Sequence, residues 1–120
     1  MGLQEIIEEL VAAAPGAVAA ILADWEGEAV VTATRNGGDY EIKFIGAHHG
    51  LLLDRSRELG RRLKIGEPRE ICFQLDAFNI ITAPVNREYY LVLTLEARVH
   101  PVLARHHFSN AVRQISEDIG

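Results

Sequence analysis

The chain has 120 residues and a formal net charge of -5, from 17 acidic and 12 basic side chains. With 48% hydrophobic and 24% charged residues, it is long enough for one domain with a hydrophobic core, spanning 1–120, and too short for two. The negative charge excludes broad nucleic-acid binding and attraction to anionic membranes, because phosphate groups are recognised by clustered Lys and Arg.

Cysteine usage and the amino-terminal segment predict a cytoplasmic protein. Cys72 is the single cysteine, so it cannot form an internal disulfide and cannot hold a structural zinc alone. The acidic amino terminus lacks the basic start of a signal peptide, and no apolar run approaches the ~18 residues of a membrane span. We therefore expect no membrane insertion.

The first third of the chain predicts a helix followed by a β-hairpin. Residues 3–13 place apolar side chains on one helical face and glutamates on the other, and Pro15-Gly16 ends the helix. The apolar run 17–24 is typical of a central strand covered on both faces. A turn at 25–28 leads into a second strand, 29–35, which is rich in β-branched residues.

The segment 39–64 predicts a long helix that begins at about Tyr40. Asp39 is predicted to be its N-cap, and Gly66 followed by Pro68 is predicted to stop it. At ~100° per residue, one apolar stripe is expected to face the core. That stripe contains Ile42, Ile45, Leu52, Leu53, Leu59 and Leu63.

A second row of side chains lies on the neighbouring shoulder of the same helix. A monomeric surface helix needs one apolar stripe, so this extra row predicts a partner-binding surface. Aromatic and Arg residues are enriched in interfaces, where Lys and Glu are depleted. The alternative is that the row only completes packing against neighbouring loops. The predicted partner-binding residues are Phe44, His48, Leu51, Arg55 and Arg62.

Three strands and a final helix are predicted after Pro68. Residues 70–76 alternate apolar and polar side chains, which is typical of a strand with one less buried face. Strands 79–85 and 89–97 follow, the second being apolar on both sides and therefore central. Pro84 is expected at a strand end or bulge. A helix then begins at His100-Pro101, with a predicted buried side of Val102, Leu103, His106, Ala111, Val112, Ile115 and Ile119.

The sequence contains no recognisable catalytic, nucleotide-binding or metal-binding constellation. It has neither a phosphate-binding GxxxxGK[ST] loop nor a serine in a Gly-flanked elbow. The adjacent pairs His48-His49 and His106-His107 point ~100° apart on a helix and do not share a coordination sphere. We expect a non-enzyme without metal or cofactor.

The order helix, two strands, helix, three strands, helix, together with particular residues, resembles the Roadblock/LC7 family. The residues that carry the resemblance are 16–24 followed by Glu26-Gly27 in the first hairpin, and 89–93 in the last strand. The resemblance covers essentially the whole chain and is to the bacterial MglB-type branch, whose members are partners of small Ras-like GTPases. Profilin-like and longin-like domains share much of this topology, and PAS-type and GAF-type sensors share its layering.

The resemblance implies an α+β sandwich with a five-stranded antiparallel sheet in the order 2-1-5-4-3. The second helix would cover one face, and the first and third helices the other. It also implies a homodimer that pairs third strands into one sheet and sets the second helices side by side as a platform for a Ras-like GTPase. The open backbone of the third strand would then be paired in the dimer. The predicted edge-strand residues are Glu70, Cys72, Gln74 and Asp76.

The implied function is that of a non-enzymatic dimeric regulator, which binds the GTPase through the second helix and modulates its nucleotide cycle. One alternative is a structural adaptor of a motility or polarity complex. Another is a sensor that holds a small molecule between the sheet and the long helix. Some MglB-type proteins continue into a carboxyl-terminal extension with a second GTPase contact; the sequence ends at Gly120, which favours docking or scaffolding over full GTPase activation.

Overall fold

A computed structural model describes residues 2–119, so Met1 and Gly120, the ends of the predicted domain, lie outside the described residues. The helices and strands fall within two residues of their predicted bounds, and α1 spans the predicted residues. In chain order they are α1 Leu3–Ala13, β1 Ala17–Asp24, β2 Ala29–Thr34, α2 Tyr40–Leu63, β3 Ile71–Gln74, β4 Phe78–Pro84, β5 Tyr89–Glu96 and α3 Val102–Ile119.

The five strands form one antiparallel sheet in the order β2-β1-β5-β4-β3, as predicted. β1 and β5 lie inside the sheet and are buried on both faces, which explains why neither alternates apolar with polar residues. Pro84 is the last residue of β4, at a strand end, as predicted. The sheet therefore ends in two edges, β2 and β3.

The helices form a layer on each face of the sheet. On one face, α1 and α3 cover alternate residues of the strands, including Leu22, Leu93 and Leu95. On the other face, Ile42 and Leu53 of α2 pack on the intervening residues. The predicted α+β sandwich is confirmed. Within residues 2–119, no helix combines the length and the apolar character needed to cross a membrane.

The predicted buried side of α3 is partly wrong. Val102, Leu103 and His106 are exposed, whereas Ala104 and Phe108 are buried although neither was predicted to be. Ala111 and Ile115 are buried as predicted, and with the two missed residues they follow the spacing i, i+4, i+7, i+11 of one helical face. The prediction assigned Val102 and Leu103 to the core because they are apolar. The side of α3 that faces the sheet is instead the one that carries the aromatic Phe108.

The position of the predicted N-cap of α2 is confirmed, whereas its predicted stop needs correction. Asp39 occupies the N-cap position, but its side chain makes no capping bond and instead pairs with Lys43 at 3.0 Å. The helix stops before Gly66, because Lys64 adopts the left-handed conformation with φ 57°. The Ile65 N–H then donates to the Gly60 carbonyl oxygen at 3.0 Å, which closes the last turn.

Lys64→Gly is expected to stabilise the protein, because the left-handed conformation costs a residue with a Cβ about 1 kcal/mol. The gain would appear as a higher midpoint of urea unfolding. Arg61→Gly, in the last turn of the same helix, is the matched control and should destabilise by about 1 kcal/mol. A Lys64→Gly midpoint at or below that of the original protein would contradict this account of the helix end.

Candidate protein-binding surface

All five predicted partner-binding residues lie on the outward surface of α2. Phe44 is 57% exposed and Leu51 is 66% exposed, so loops of the same chain leave more than half of each side chain uncovered. His48, Arg55 and Arg62 are also exposed, with Arg62 paired to Glu58 at 3.2 Å. The structure thus places the predicted row on one accessible face, where its role in binding stays a prediction.

The exposed apolar surface of α2 is wider than predicted. Leu52, Leu59 and Leu63 were predicted to face the core, and this is wrong: they are 42%, 57% and 58% exposed. They lie beside the predicted row and extend it to the end of the helix. We call the combined surface the α2 ridge, consisting of Phe44, His48, Leu51, Leu52, Arg55, Leu59, Arg62 and Leu63.

Half of the buried residues on the underside of α2 are glycines, so the core lacks room there for the leucines that were predicted to fill it. A Cβ at Gly46 would lie 2.9 Å from Cγ2 of Ile21, and one at Gly50 would lie 2.5 Å from the Tyr90 hydroxyl oxygen. The helix backbone therefore lies too close to the sheet for a side chain at these positions. The buried residues of α2 are Ile42, Gly46, His49, Gly50, Leu53 and Gly60.

A buried hydrogen bond fixes the rotation of α2 about its axis. The Tyr90 hydroxyl donates to the Gly46 carbonyl oxygen at 2.8 Å. Burial, with a smaller contribution from the charge of Asp24, raises the pKa of Tyr90 to about 12, so the hydroxyl keeps its proton at neutral pH. By holding Gly46 against the sheet, this bond helps to direct the α2 ridge away from the core.

The α2 ridge leans toward the β3 side of the sheet. His49, on the underside, makes an edge contact with the ring of Phe73 in β3, with centroids 5.4 Å apart. On the opposite flank, the Arg57 guanidinium lies 4.5 Å from the ring centroid of Trp25, in the turn between β1 and β2. Leu52 is about 60° around the helix from His49, on the side away from Arg57.

β3 is an open edge next to this ridge. Within residues 2–119 it pairs with β4 alone. The Leu75 N–H donates to the Phe78 carbonyl oxygen at 3.0 Å, and bonded pairs alternate in an antiparallel ladder, so Cys72 and Gln74 direct their backbone groups outward. The predicted edge residues Glu70 and Asp76 lie just beyond the two ends of the strand.

The side chains at β3 contribute packing and one ion pair. Glu70 accepts a hydrogen bond from Nε of Arg105 in α3 at 2.9 Å. Cys72 is half-buried against the core under α1 and α3, and this burial raises the pKa of its thiol. The thiol is therefore a poor nucleophile at neutral pH, and the side chain contributes packing.

Comparison of the sequence with protein-family models and with curated proteins finds no match. The fold, however, matches solved structures over nearly its whole length. Myxococcus xanthus MglB has a TM-score of 0.86 at 14% identity, covering 98% of this chain and 94% of that chain. A Roadblock/LC7 domain from Streptomyces avermitilis has a TM-score of 0.85 at 16% identity, covering 99% and 98%.

The gliding protein MglB from Thermus thermophilus has a TM-score of 0.83 at 15% identity, covering 96% of this chain and 86% of that chain. The chain has the Roadblock/LC7 fold. This agrees with the resemblance found in the first hairpin and in the last strand of the sequence.

Two adjacent histidines have different environments in this Roadblock/LC7 fold. His48 is exposed, and its Nδ1 donates to the Phe44 carbonyl oxygen at 2.9 Å. His49 is buried, with Nδ1 at 2.7 Å from the Thr82 hydroxyl oxygen. Burial lowers the pKa of His49, and the neighbouring His48 lowers it further.

Stability is expected to fall on acidification because of His49. Below its ordinary pKa of 6.5, the unfolded chain binds a proton at this imidazole that the folded chain does not. The contribution of His49 to the free energy of unfolding is therefore complete above pH 6.5, and it is lost as the pH falls toward the lowered pKa of the folded state. Urea unfolding of His49→Gln between pH 5 and 8 should show a shallower pH dependence than the original protein. His48→Gln is the control and should keep most of the steeper slope, because burial is the larger cause of the lowered pKa of His49. Equal slopes for His49→Gln and the original protein would contradict the assignment.

Proposed function

We propose that the protein is a non-enzymatic dimeric regulator that binds a small Ras-like GTPase through α2 and modulates its nucleotide cycle. The observation that carries this proposal is the α2 ridge. The 24 residues of α2 extend over about 36 Å, and exposed apolar side chains continue along one flank from Phe44 to Leu63. Contiguous exposed apolar surface of this kind marks protein-binding sites.

The composition of the α2 ridge suits a protein partner better than a lipid or a small ligand. It combines leucines with one aromatic residue, one histidine and two arginines, of which Arg62 pairs with the neighbouring Glu58. Arg and aromatic residues are over-represented among the residues that dominate interface energies. Together with the MglB-like fold, this composition supports a Ras-like GTPase as the partner.

The proposed dimer uses the ridge and the β3 edge together. Two copies related by a two-fold axis would pair their β3 strands antiparallel, which gives each outward backbone group a partner. The ridge leans toward β3, so the same axis would bring the two α2 helices beside each other. Both open features of the chain thus support one interface, and the surface shared by the two helices would receive the GTPase.

A platform of this kind would regulate without reacting groups of its own. It would act by stabilising the conformation in which the catalytic groups of the GTPase are aligned, provided that it binds this conformation more tightly than the others. The gliding-protein name of one structural neighbour supports a second candidate, an adaptor in a motility complex that leaves GTP turnover unchanged.

Leu51→Asp and Arg55→Glu are expected to weaken both self-association and GTPase binding, each by at least about tenfold, since single interface residues of this kind contribute more than about 1.4 kcal/mol. Light scattering measures the first effect. Fluorescence anisotropy of a fluorescent-nucleotide-loaded Ras-like GTPase from the same cells measures the second. Arg61→Glu, exposed on the other flank of α2, is the charge-reversal control and should change neither.

Unchanged dimerisation and unchanged GTPase binding in both ridge variants would refute the assigned surface. Single-turnover GTP hydrolysis with and without the protein separates the regulator from the adaptor. The sensor alternative predicts a small molecule bound in the cleft of about 420 Å³ between the sheet and the start of α2, which native mass spectrometry of the purified protein would detect.

A further inference from the structure

The second edge of the sheet, β2, is unprotected. Within residues 2–119, β2 pairs with β1 alone. Its sequence, AVVTAT, contains neither charge nor proline, the two features that most often protect edge strands from pairing with another chain. All four of its residues other than alanine are β-branched and favour extended backbone.

The outward backbone groups of β2 can be assigned from the ladder. The Arg35 N–H donates to the Val18 carbonyl oxygen at 2.9 Å, so the alternation of an antiparallel pair directs the backbone of Thr32 and Thr34 outward. Gln4 supports this assignment, since its side-chain amide donates to the Thr32 carbonyl oxygen at 2.9 Å. A side chain of α1 thus occupies the position that the N–H of a further strand would take.

A groove runs beside this edge, between α1 and β2. Its volume is about 510 Å³, and its α1 side is lined by Gln4, Glu8, Val11 and Ala12. A strand added to β2 would direct every second side chain to the α1 side of the sheet. The groove offers those side chains an apolar floor, with the Glu8 carboxylate at its rim.

The surroundings of the β2 edge are predominantly acidic. Glu8 is exposed on α1, and Glu26 and Glu28 are exposed where β2 begins. Among the ion pairs of residues 2–119, none includes these three carboxylates. Arg35 follows the other end of the strand. Charge complementarity therefore favours a partner that is basic where it meets Glu26 and Glu28.

We propose that β2 binds an extended, basic segment of a partner polypeptide, which adds antiparallel to β2 as a sixth strand. Antiparallel pairing continues the pattern of the sheet, and it places the carboxyl-terminal end of the segment beside Glu26 and Glu28. A backbone N–H of the bound segment replaces the side-chain amide of Gln4 as the donor to the Thr32 carbonyl oxygen. The site is separate from the α2 ridge and does not depend on the function proposed for it.

The test uses two short acetylated peptides that share a Thr-Val-Thr-Val core and end in either Lys-Lys-amide or Glu-Glu-amide. Hydrogen exchange of the isotope-labelled protein, measured by NMR, should show at least about tenfold slower exchange of the Thr32 and Thr34 amides with the Lys peptide at saturation. At low salt the Lys peptide should bind at least about tenfold more tightly than the Glu peptide.

Three variants examine the backbone and charge contributions separately. Thr32→Pro removes one outward N–H without removing a bond to β1, and it should weaken the Lys peptide at least about tenfold. Gln4→Ala frees the Thr32 carbonyl and should tighten binding a few-fold. Glu28→Lys, at the end of β2 where the last two residues of the peptide lie, should narrow or reverse the preference for the Lys peptide. Circular dichroism would show whether each variant is folded. If Thr32→Pro does not fold, the other two variants still test the proposal.

Three results would overturn the proposal: equal binding of the two peptides, protection at β3 or α2 in place of β2, or concentration-dependent protection of Thr32 and Thr34 without peptide. The last would mean that a second copy of this chain occupies the edge. Leu51→Asp should leave peptide binding unchanged, so failure of the α2 ridge and failure of this site are distinguishable.

Discussion

Replacing Leu52 and Leu59 together with aspartate is expected to weaken self-association at least about 100-fold, taking about 1.4 kcal/mol or more for each side chain lost from the interface. Both leucines are exposed on the flank of α2 that leans toward β3, where a second copy of the helix is proposed to lie. Two carboxylates in that position would have to be desolvated on association. Analytical ultracentrifugation over a wide range of protein concentration would measure the change.

Leu53→Ala is the matched control, because Leu53 is adjacent in sequence and fully buried under α2. Its loss should destabilise the subunit by about 2–5 kcal/mol, as for other buried leucines. The Leu52→Asp, Leu59→Asp protein should keep its circular dichroism spectrum and cooperative unfolding. If the double variant unfolds, both residues belong to the core and the ridge is narrower than described.

Gly50→Val is expected to destabilise the protein by roughly 2–3 kcal/mol through overpacking. The new Cβ would lie 2.5 Å from the hydroxyl oxygen and 2.8 Å from Cζ of Tyr90, and Tyr90 is itself fully buried. Relief requires either the ring or the whole helix to move, which would strain the bond from the Tyr90 hydroxyl to Gly46. Urea unfolding at a single low protein concentration would measure the loss.

Asp54→Val places the same side chain on the exposed surface of α2 and is the control, because the helix propensity of valine is close to that of aspartate and above that of glycine. A Gly50→Val protein no less stable than Asp54→Val would show that α2 can retreat from the sheet at little cost. The statement that the backbone of α2 lies too close to the sheet for a side chain at Gly50 would then be wrong.

The secondary structure and the topology could be predicted because local signals agree with the fold. Pro15-Gly16 ends α1, and the uninterrupted apolar runs of β1 and β5 identify the central strands. The order of the strands could not be obtained from periodicity, and it came from the resemblance of the first hairpin and the last strand to a known family.

The candidate site was predicted less completely, because hydrophobicity alone does not report how close a helix lies to a sheet. Leu52 and Leu59 were assigned to the core by their apolar character, whereas Gly46 and Gly50 occupy the buried positions and exclude larger side chains. The spacing of the glycines of α2, all of them buried in one stripe with His49, is the signal that could have corrected the assignment. The open edge at β2 follows only from the strand order.

The two halves of α2 differ in how firmly they are attached. Before Leu53, buried side chains and the hydrogen bond from the Tyr90 hydroxyl attach the helix to the centre of the sheet. After Leu53, the chief contacts are those of Gly60 with the backbone at Gly66 and of the Arg57 guanidinium with the Trp25 ring. The last turns are therefore the part of α2 with the fewest attachments to the sheet, so a partner bound there contacts the least anchored end of the helix.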